Sequence, residues 1–256
     1  MPRRTFIDLS VPLKHNSPDE PFPAQIEPLG HAAGAEVLGG PAQVPASEFP
    51  DGMGLAWEQV HAITHAGTHL DAPWHFGPTA GGAPAKTIDQ VPLEWCLAPG
   101  VVLDLTHKQP ADHITTDDIK AALDKIEYSL QPLDIVLLHT GADKKLGGAE
   151  YLSAHPGMTR EATLWVLDHG VKVMGIDGYG FDRPFLAMLS DHKAGKPGSL
   201  WPGHFAGRER EYCHIEKLAN LDRIPKPHGF LVSVFPVLIE NASAGWCRAV
   251  AIIEDN

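Results

Sequence analysis

The chain has 256 residues, 43% of them hydrophobic and 20% charged, and carries a net charge of −12. That acidity argues against nucleic acid or an anionic membrane as partner, because either needs a basic surface. No run approaches the roughly 18 consecutive apolar residues of a membrane span, and the length suits one domain, 1–256, with a large buried core.

In chain order, residues 5–12 alternate as a first strand. The opening Met1-Pro-Arg-Arg-Thr leads straight into it without a signal peptide's apolar stretch, so a cytoplasmic location is expected. Residues 14–50 are rich in Pro, Gly and Ala with no sustained period, which predicts a long ordered loop bearing substrate contacts. Residues 57–64 are a strand feeding the histidine-rich run that follows. Pro99-Gly100 then opens an apolar strand over 101–105. Thr115, followed by two acids, caps a helix whose Ile119, Ala122, Leu123 and Ile126 recur at helical spacing. A buried strand is expected over 134–139, a capped helix over 159–169 stopped by Gly170, and a strand over 171–176, an order that resembles a parallel crossover. Residues 230–239 and 248–254 end the chain as two strands, with Asn241, Ser243 and Gly245 in a loop that allows a hairpin. Cys96, Cys213 and Cys247 form no CxxC and read as reduced thiols.

The most informative run is His65-Ala-Gly-Thr-His69-Leu-Asp71-Ala-Pro-Trp-His75-Phe76. Imidazoles and a carboxylate bind divalent transition metals near neutral pH. In an extended strand His65 and His69 lie about 13 Å apart, at roughly 3.3 Å per residue. Two ligands of one ion need nitrogens within about 3 to 4 Å of each other, each sitting near 2.0–2.1 Å from the metal. Gly67, Thr68 and Pro73 supply the bend. The expectation is a strand ending near His65, a tight turn, and an irregular segment carrying His69, Asp71 and His75. His61 belongs to the alternating strand, with a structural or supporting part. His204 and Glu216 taken alone, near a stretch as charged as Arg208-Glu-Arg-Glu211, read as a solvated face.

The pattern HxGTHxDxPxHF resembles the signature of the metal-dependent cyclase/hydrolase family that includes bacterial kynurenine formamidases and isatin hydrolases. Further segments resemble the same family: Ile7-Asp-Leu-Ser10, His139-Thr-Gly141, Gly175-Ile-Asp177, and His204 twelve residues before Glu216, followed by Asn220-Leu221. The resemblance implies a two-ion site, with His65, His69 and Asp71 on one ion and Asp71 bridging to a second held by His204 and Glu216. His75 is then the proton-transfer residue. It also implies an α/β fold of the swivelling β/β/α kind with a partly barrel-like mixed sheet, and a homodimer or homotetramer. Phe22-Pro23 stands where formamidases place Trp-Pro, His139 replaces an arginine, Gly180 replaces a serine, and residues 186–201 look like an insertion. These departures count against kynurenine formamidase proper and leave the implied ligands intact.

A bound divalent ion makes water nucleophilic near neutral pH and polarises a carbonyl, so hydrolysis of an amide, formamide, cyclic amide or lactone of a small substrate is the expected activity. Zn(II) is favoured, with Mn(II) as the alternative. Phe22, Trp74 and Phe76 are the expected walls of a pocket for a flat substrate, Trp74 and Phe76 first because they adjoin His75. A cyclase/dehydratase and a non-enzymatic metal-binding protein remain alternatives; the presence of His75 counts against the latter.

Overall fold

The computed structural model describes residues 3–254. The chain begins with β1 (Arg4–Asp8), β2 (Gln25–Leu29), α1 (His31–Gly39), β3 (Trp57–His61) and β4 (His69–Asp71). Next come α2 (Pro73–Phe76), β5 (Thr79–Ala80), β6 (Ala83–Pro84), β7 (Leu97–Asp104), β8 (His113–Ile114), α3 (Thr116–Lys125) and β9 (Ile135–His139). They are followed by β10 (Gly157–Met158), α4 (Arg160–Leu167), β11 (Val173–Ile176), α5 (Phe185–Lys193), α6 (Pro202–Ala206) and β12 (Cys213–Glu216). The last strands are β13 (Phe230–Ser233), β14 (Ala244–Trp246) and β15 (Val250–Glu254).

Nine strands form one mixed α/β sheet in the order β1-β15-β13-β7-β9-β11-β12-β4-β14, curled into a half-barrel. Its centre, β7, β9, β11 and β12, is parallel, and both flanks are antiparallel. β9 is apolar from Ile135 to Leu138 because both its faces are covered there. Ile135 and Leu137 join one core with Leu70, Val173 and Ile215, while Val136 and Leu138 join the other with Ile119, Leu123 and Val166 from α3 and α4. Thr115 and Asp118 exchange hydrogen bonds as a capping box that starts α3, and Thr159 caps α4. Gly170, with φ of +84°, follows α4 where the sequence predicts its stop.

Several expectations need correction. β7 starts at Leu97 and runs through Pro99 and Gly100; Gly100 lies opposite Phe230, whose ring occupies the space a side chain there would need. The predicted loop over 14–50 contains β2 and α1. α1 escapes pattern reading because it buries Gly34, Ala35 and Gly39, with no stripe of large apolar residues, and a side chain at Gly34 would collide with the Leu55 carbonyl. β3 pairs only with β2, in a ribbon outside the main sheet, and every one of its residues is exposed, His61 included. The strand expected over 230–239 stops at Ser233. Although β13 and β15 are antiparallel neighbours, the chain between them crosses to the far edge and adds β14 beside β4. The first half of the insertion-like stretch over 186–201 lies in α5, which ends at Lys193. No helix among the described residues is long and apolar enough to cross a membrane.

Candidate metal and active site

The segment expected to be irregular after the turn is instead ordered. His69–Asp71 is a strand bonded on one side to β12 and on the other to β14, and Pro73–Phe76 makes one helical turn. Strand alternation sends Leu70 into the apolar core and turns His69 and Asp71 to the opposite face. β12 does the same: Ile215 enters the core, while His214 lies directly across from Asp71 and Glu216 across from His69. Four polar side chains thus share one buried patch, although two come from near residue 70 and two from near residue 215.

His65 arrives on the turn before β4, where Gly67 takes φ of +63° and donates its N–H to Glu20 Oε1 at 2.8 Å. The Nδ1 of His65 is 2.8 Å from Asp71 Oδ1, and its Nε2 is 3.0 Å from Ser243 Oγ. In His69, Nδ1 sits 2.8 Å from the Gly67 carbonyl, which can only accept; the proton is therefore on Nδ1 and the lone pair on Nε2. That Nε2 is 3.3 Å from Asp71 Oδ1 and 3.7 Å from Glu216 Oε2. His204 is delivered by α6, which follows Trp201 in the left-handed region. Asp182 accepts from the Gly203 and His204 N–H groups and from His204 Nδ1, the last at 2.6 Å, so His204 Nε2 is the free atom, 3.6 Å from Glu216 Oε1. His75 stands at the more open edge, its Nε2 3.9 Å from Asp71 Oδ2 and its ring centroid 4.2 Å from that of His65.

These atoms are close, yet Asp71 Oδ1 and Oδ2, His69 Nε2 and His214 Nε2 are all buried without a hydrogen-bond partner. Leaving a buried polar group unpaired costs about 1–3 kcal/mol, more when it is charged. Four such atoms facing one another therefore fit a cation among them. Two overlapping groups of donors meet at Asp71. One comprises Asp71, His204, His214 and Glu216; the other comprises His65, Asp71 and His75. Imidazole nitrogens with carboxylate oxygens suit a first-row divalent ion. The electrostatics agree: burial pushes the Asp71 carboxyl up, and only positive charge on the surrounding His75, His69 and His65 rings, or on a cation in their midst, would hold it well below the usual carboxylate range. A protonated His214 would draw Glu216 down despite its burial, so this position, too, calls for positive charge. Burial pushes His75 down to about 4.

The structure brings together His65, His69, Asp71, His75, His204 and Glu216. Among the expected pocket walls, Trp74 is 45% exposed beside His75, and Phe22 is 65% exposed on the loop that carries Glu20. Phe76 requires correction. It is 1% exposed, stacks on Tyr212 and packs under His214 and His204, so it supports the imidazoles from beneath and faces no opening. Cys213 points into the core on the other face, and burial pushes its thiol well up. Sequence reasoning missed His214 and Asp182. For His214 a signal was present: His214-Ile-Glu216 repeats the His-x-acid spacing of His69-Leu-Asp71.

Residues 7–183 match the protein family described as putative cyclase. The chain is 28% identical over 217 residues to an isatin hydrolase from Roseibium aggregatum, covering 79% of this chain and 77% of that protein. It superposes on the crystal structure of an isatin hydrolase bound to the product analogue thioisatinate with a TM-score of 0.76 at 22% identity, covering 98% of this chain and 93% of the other. A potential metal-dependent hydrolase with cyclase activity gives a TM-score of 0.68 at 19% identity, over 98% and 100% of the two chains. At those identities the two superpositions establish the fold.

Proposed function

The chain belongs to the putative cyclase family, and on that premise we propose that it is a metal-dependent hydrolase that breaks the C–N bond of a small, flat cyclic amide. The observation that carries this reading is the convergence of unpartnered, buried nitrogen and oxygen atoms on Asp71 from two donor groups. On this reading His65, His69 and Asp71 would hold one ion, and Asp71 with His204 and Glu216 a second; zinc would be the first choice and Mn(II) the second. Bound there, divalent ions supply the Lewis acidity that makes water a nucleophile near neutral pH and polarises the substrate carbonyl.

The chain's own part is to hold and to move protons. His75 is neutral near pH 7, with a pKa pushed down to about 4, and stands 3.9 Å from Asp71 at the accessible rim. It takes the proton from the attacking water and passes it to the leaving nitrogen as the C–N bond breaks, leaving a carboxylate and a free amine. Asp182 fixes which nitrogen His204 turns inward, and the Gly67 carbonyl does the same for His69. Trp74 forms an aromatic wall next to His75. At Gly180 an added Cβ would stand 3.7 to 3.8 Å from His155, Asp182 and Glu216, in ordinary contact, so the serine it replaces would have fitted beside Glu216 without a clash.

The 28% identity with an isatin hydrolase supports a cyclic amide over a formamide. The direct test is to supply isatin-like imides, N-formyl arylamines and lactones to the metal-loaded protein and follow acid release. The expected result is fastest turnover of a cyclic amide, abolished by His69→Ala. Turnover that survives complete chelation overturns the proposal.

A further inference from the structure

We propose that His214 is a fourth protein ligand of the second ion, so that this position is closed by Asp71, His204, His214 and Glu216 while the His65 side stays open to water and substrate. The inference rests on the metal-hydrolase reading and goes beyond it, because it separates the two ions by task.

Geometry places His214 where a ligand must be. It is fully buried, lies opposite Asp71 in the β4–β12 register, and directs Nε2 to 2.9 Å from Asp71 Oδ2 and 3.4 Å from Glu216 Oε1. Neither approach has hydrogen-bond geometry, and Nε2 has no partner. The other ring nitrogen decides the tautomer. His214 Nδ1 is 3.2 Å from the Tyr212 hydroxyl, whose single proton is donated to the Gly203 carbonyl at 2.8 Å. The Tyr212 oxygen is left as an acceptor, so Nδ1 carries a proton, and in the neutral ring Nε2 presents a lone pair toward two carboxylates. A lone pair facing two anions in a buried pocket is repulsive unless a cation sits between them.

The ring is also held against rotation. Phe181 stacks on it at 4.5 Å between centroids and 13° between planes, and Phe76 packs at 5.0 Å. Ligands locked by packing and by a hydrogen bond on the far nitrogen are the usual form of a metal-binding histidine. All four donors of this group are buried and their ligand atoms lie within 4.8 Å of one another, two nitrogens and two oxygens, which matches a four-coordinate zinc position without a free place. In the His65 group, by contrast, His65 is only partly buried and His75 is exposed. That side is the more open to water and substrate. An ion held beside His214 would then fix Asp71 and Glu216 and supply positive charge, while one held beside His65 and His75 would supply the Lewis acidity at the open side.

The test reads metal, not turnover. Zinc-loaded wild-type protein examined by X-ray absorption should show two imidazoles on each ion on average, from His65, His69, His204 and His214. Cobalt substitution should give one intense, tetrahedral d–d band. His214→Leu should lose that band, bind one ion per chain where the wild type binds two, and weaken the second ion on the order of 100-fold or more. His214→Gln, which keeps a polar group, should do the same, and circular dichroism verifies that both variants fold. His69→Ala should remove the other ion and leave the tetrahedral band. If the wild type binds two ions and His214→Leu keeps both with an unchanged cobalt spectrum, the proposal is overturned while the hydrolase reading stands. A wild type that holds a single ion indifferent to His214 overturns it too, with His214 then a buried imidazolium in that ion's place. Failure of the wild type to bind any divalent ion sinks the hydrolase reading itself.

Discussion

His75 and Asp71 are separated by one helical turn, yet they call for opposite signatures on substitution. In the proposed mechanism His75 transfers protons from the rim of the site and holds neither ion, so His75→Ala should keep the full metal content. It should lower kcat by about 10²- to 10⁴-fold, the usual worth of a positioned acid/base, with little change in KM. Steady-state kinetics beside elemental analysis checks this, and a near wild-type rate would reassign the proton transfer. Asp71 is common to both donor groups, so Asp71→Asn should impair loading of both ions; undiminished metal content would reject the bridging role. At this scale His65, His69, Asp71 and His75 were legible because they fall within eleven positions, with Gly67 and Pro73 to bend the chain. His214 was only half legible: the His-x-acid spacing of His214-Ile-Glu216 matches that of His69-Leu-Asp71, but the segment does not reveal that β12 pairs with β4 so that His214 faces Asp71.

Elements were legible where the local signal and the tertiary role agree. β9 and β11 are buried on both faces and read as apolar runs, and α3 and α4 announce themselves by their caps. β4 and β12 break that agreement: their polar alternate residues face a buried site, and at three and four residues the alternation is too short to stand out as a strand. The turn leading into β4 offers a clean test of backbone control. Gly67 has room for a side chain, since its nearest neighbour beyond the turn is Leu13 at 3.6 Å, so only its φ of +63° penalises one. Gly67→Ala should therefore cost about 1–2 kcal/mol, and Gly67→Asn less, because asparagine tolerates the left-handed region. Denaturant midpoints measure both. Equal losses for Ala and Asn would point to a cause other than backbone conformation. Each variant should also weaken the ion bound by His65, because that ligand rides on the same turn.

Across the whole molecule, the site depends on an ion pair that joins three distant stretches of chain. Lys217 follows Glu216 in the left-handed region, with φ of +60°. Its Nζ donates to both oxygens of Glu20, at 2.8 and 2.7 Å, and to the His65 carbonyl at 2.9 Å. Its own carbonyl accepts from the Thr68 hydroxyl at 2.6 Å, and the Tyr179 ring lies 4.7 Å from the ammonium. The side chains are 3% and 9% exposed, so this is a buried pair, costly to form and costlier to break. Nothing local in the sequence marks Glu20 and Lys217 as partners, which is why the first loop could be expected near the site but not tied to it. Lys217→Met should strand the Glu20 carboxylate and destabilise the fold by about 3–5 kcal/mol. Adding Glu20→Gln should return part of that loss, because no unpaired charge then remains buried. Chemical denaturation of the two single variants and the double gives the coupling directly. A Lys217→Met variant as stable as wild type would show that water reaches this pair, and that the loop bearing Glu20 is not what holds His65 in place.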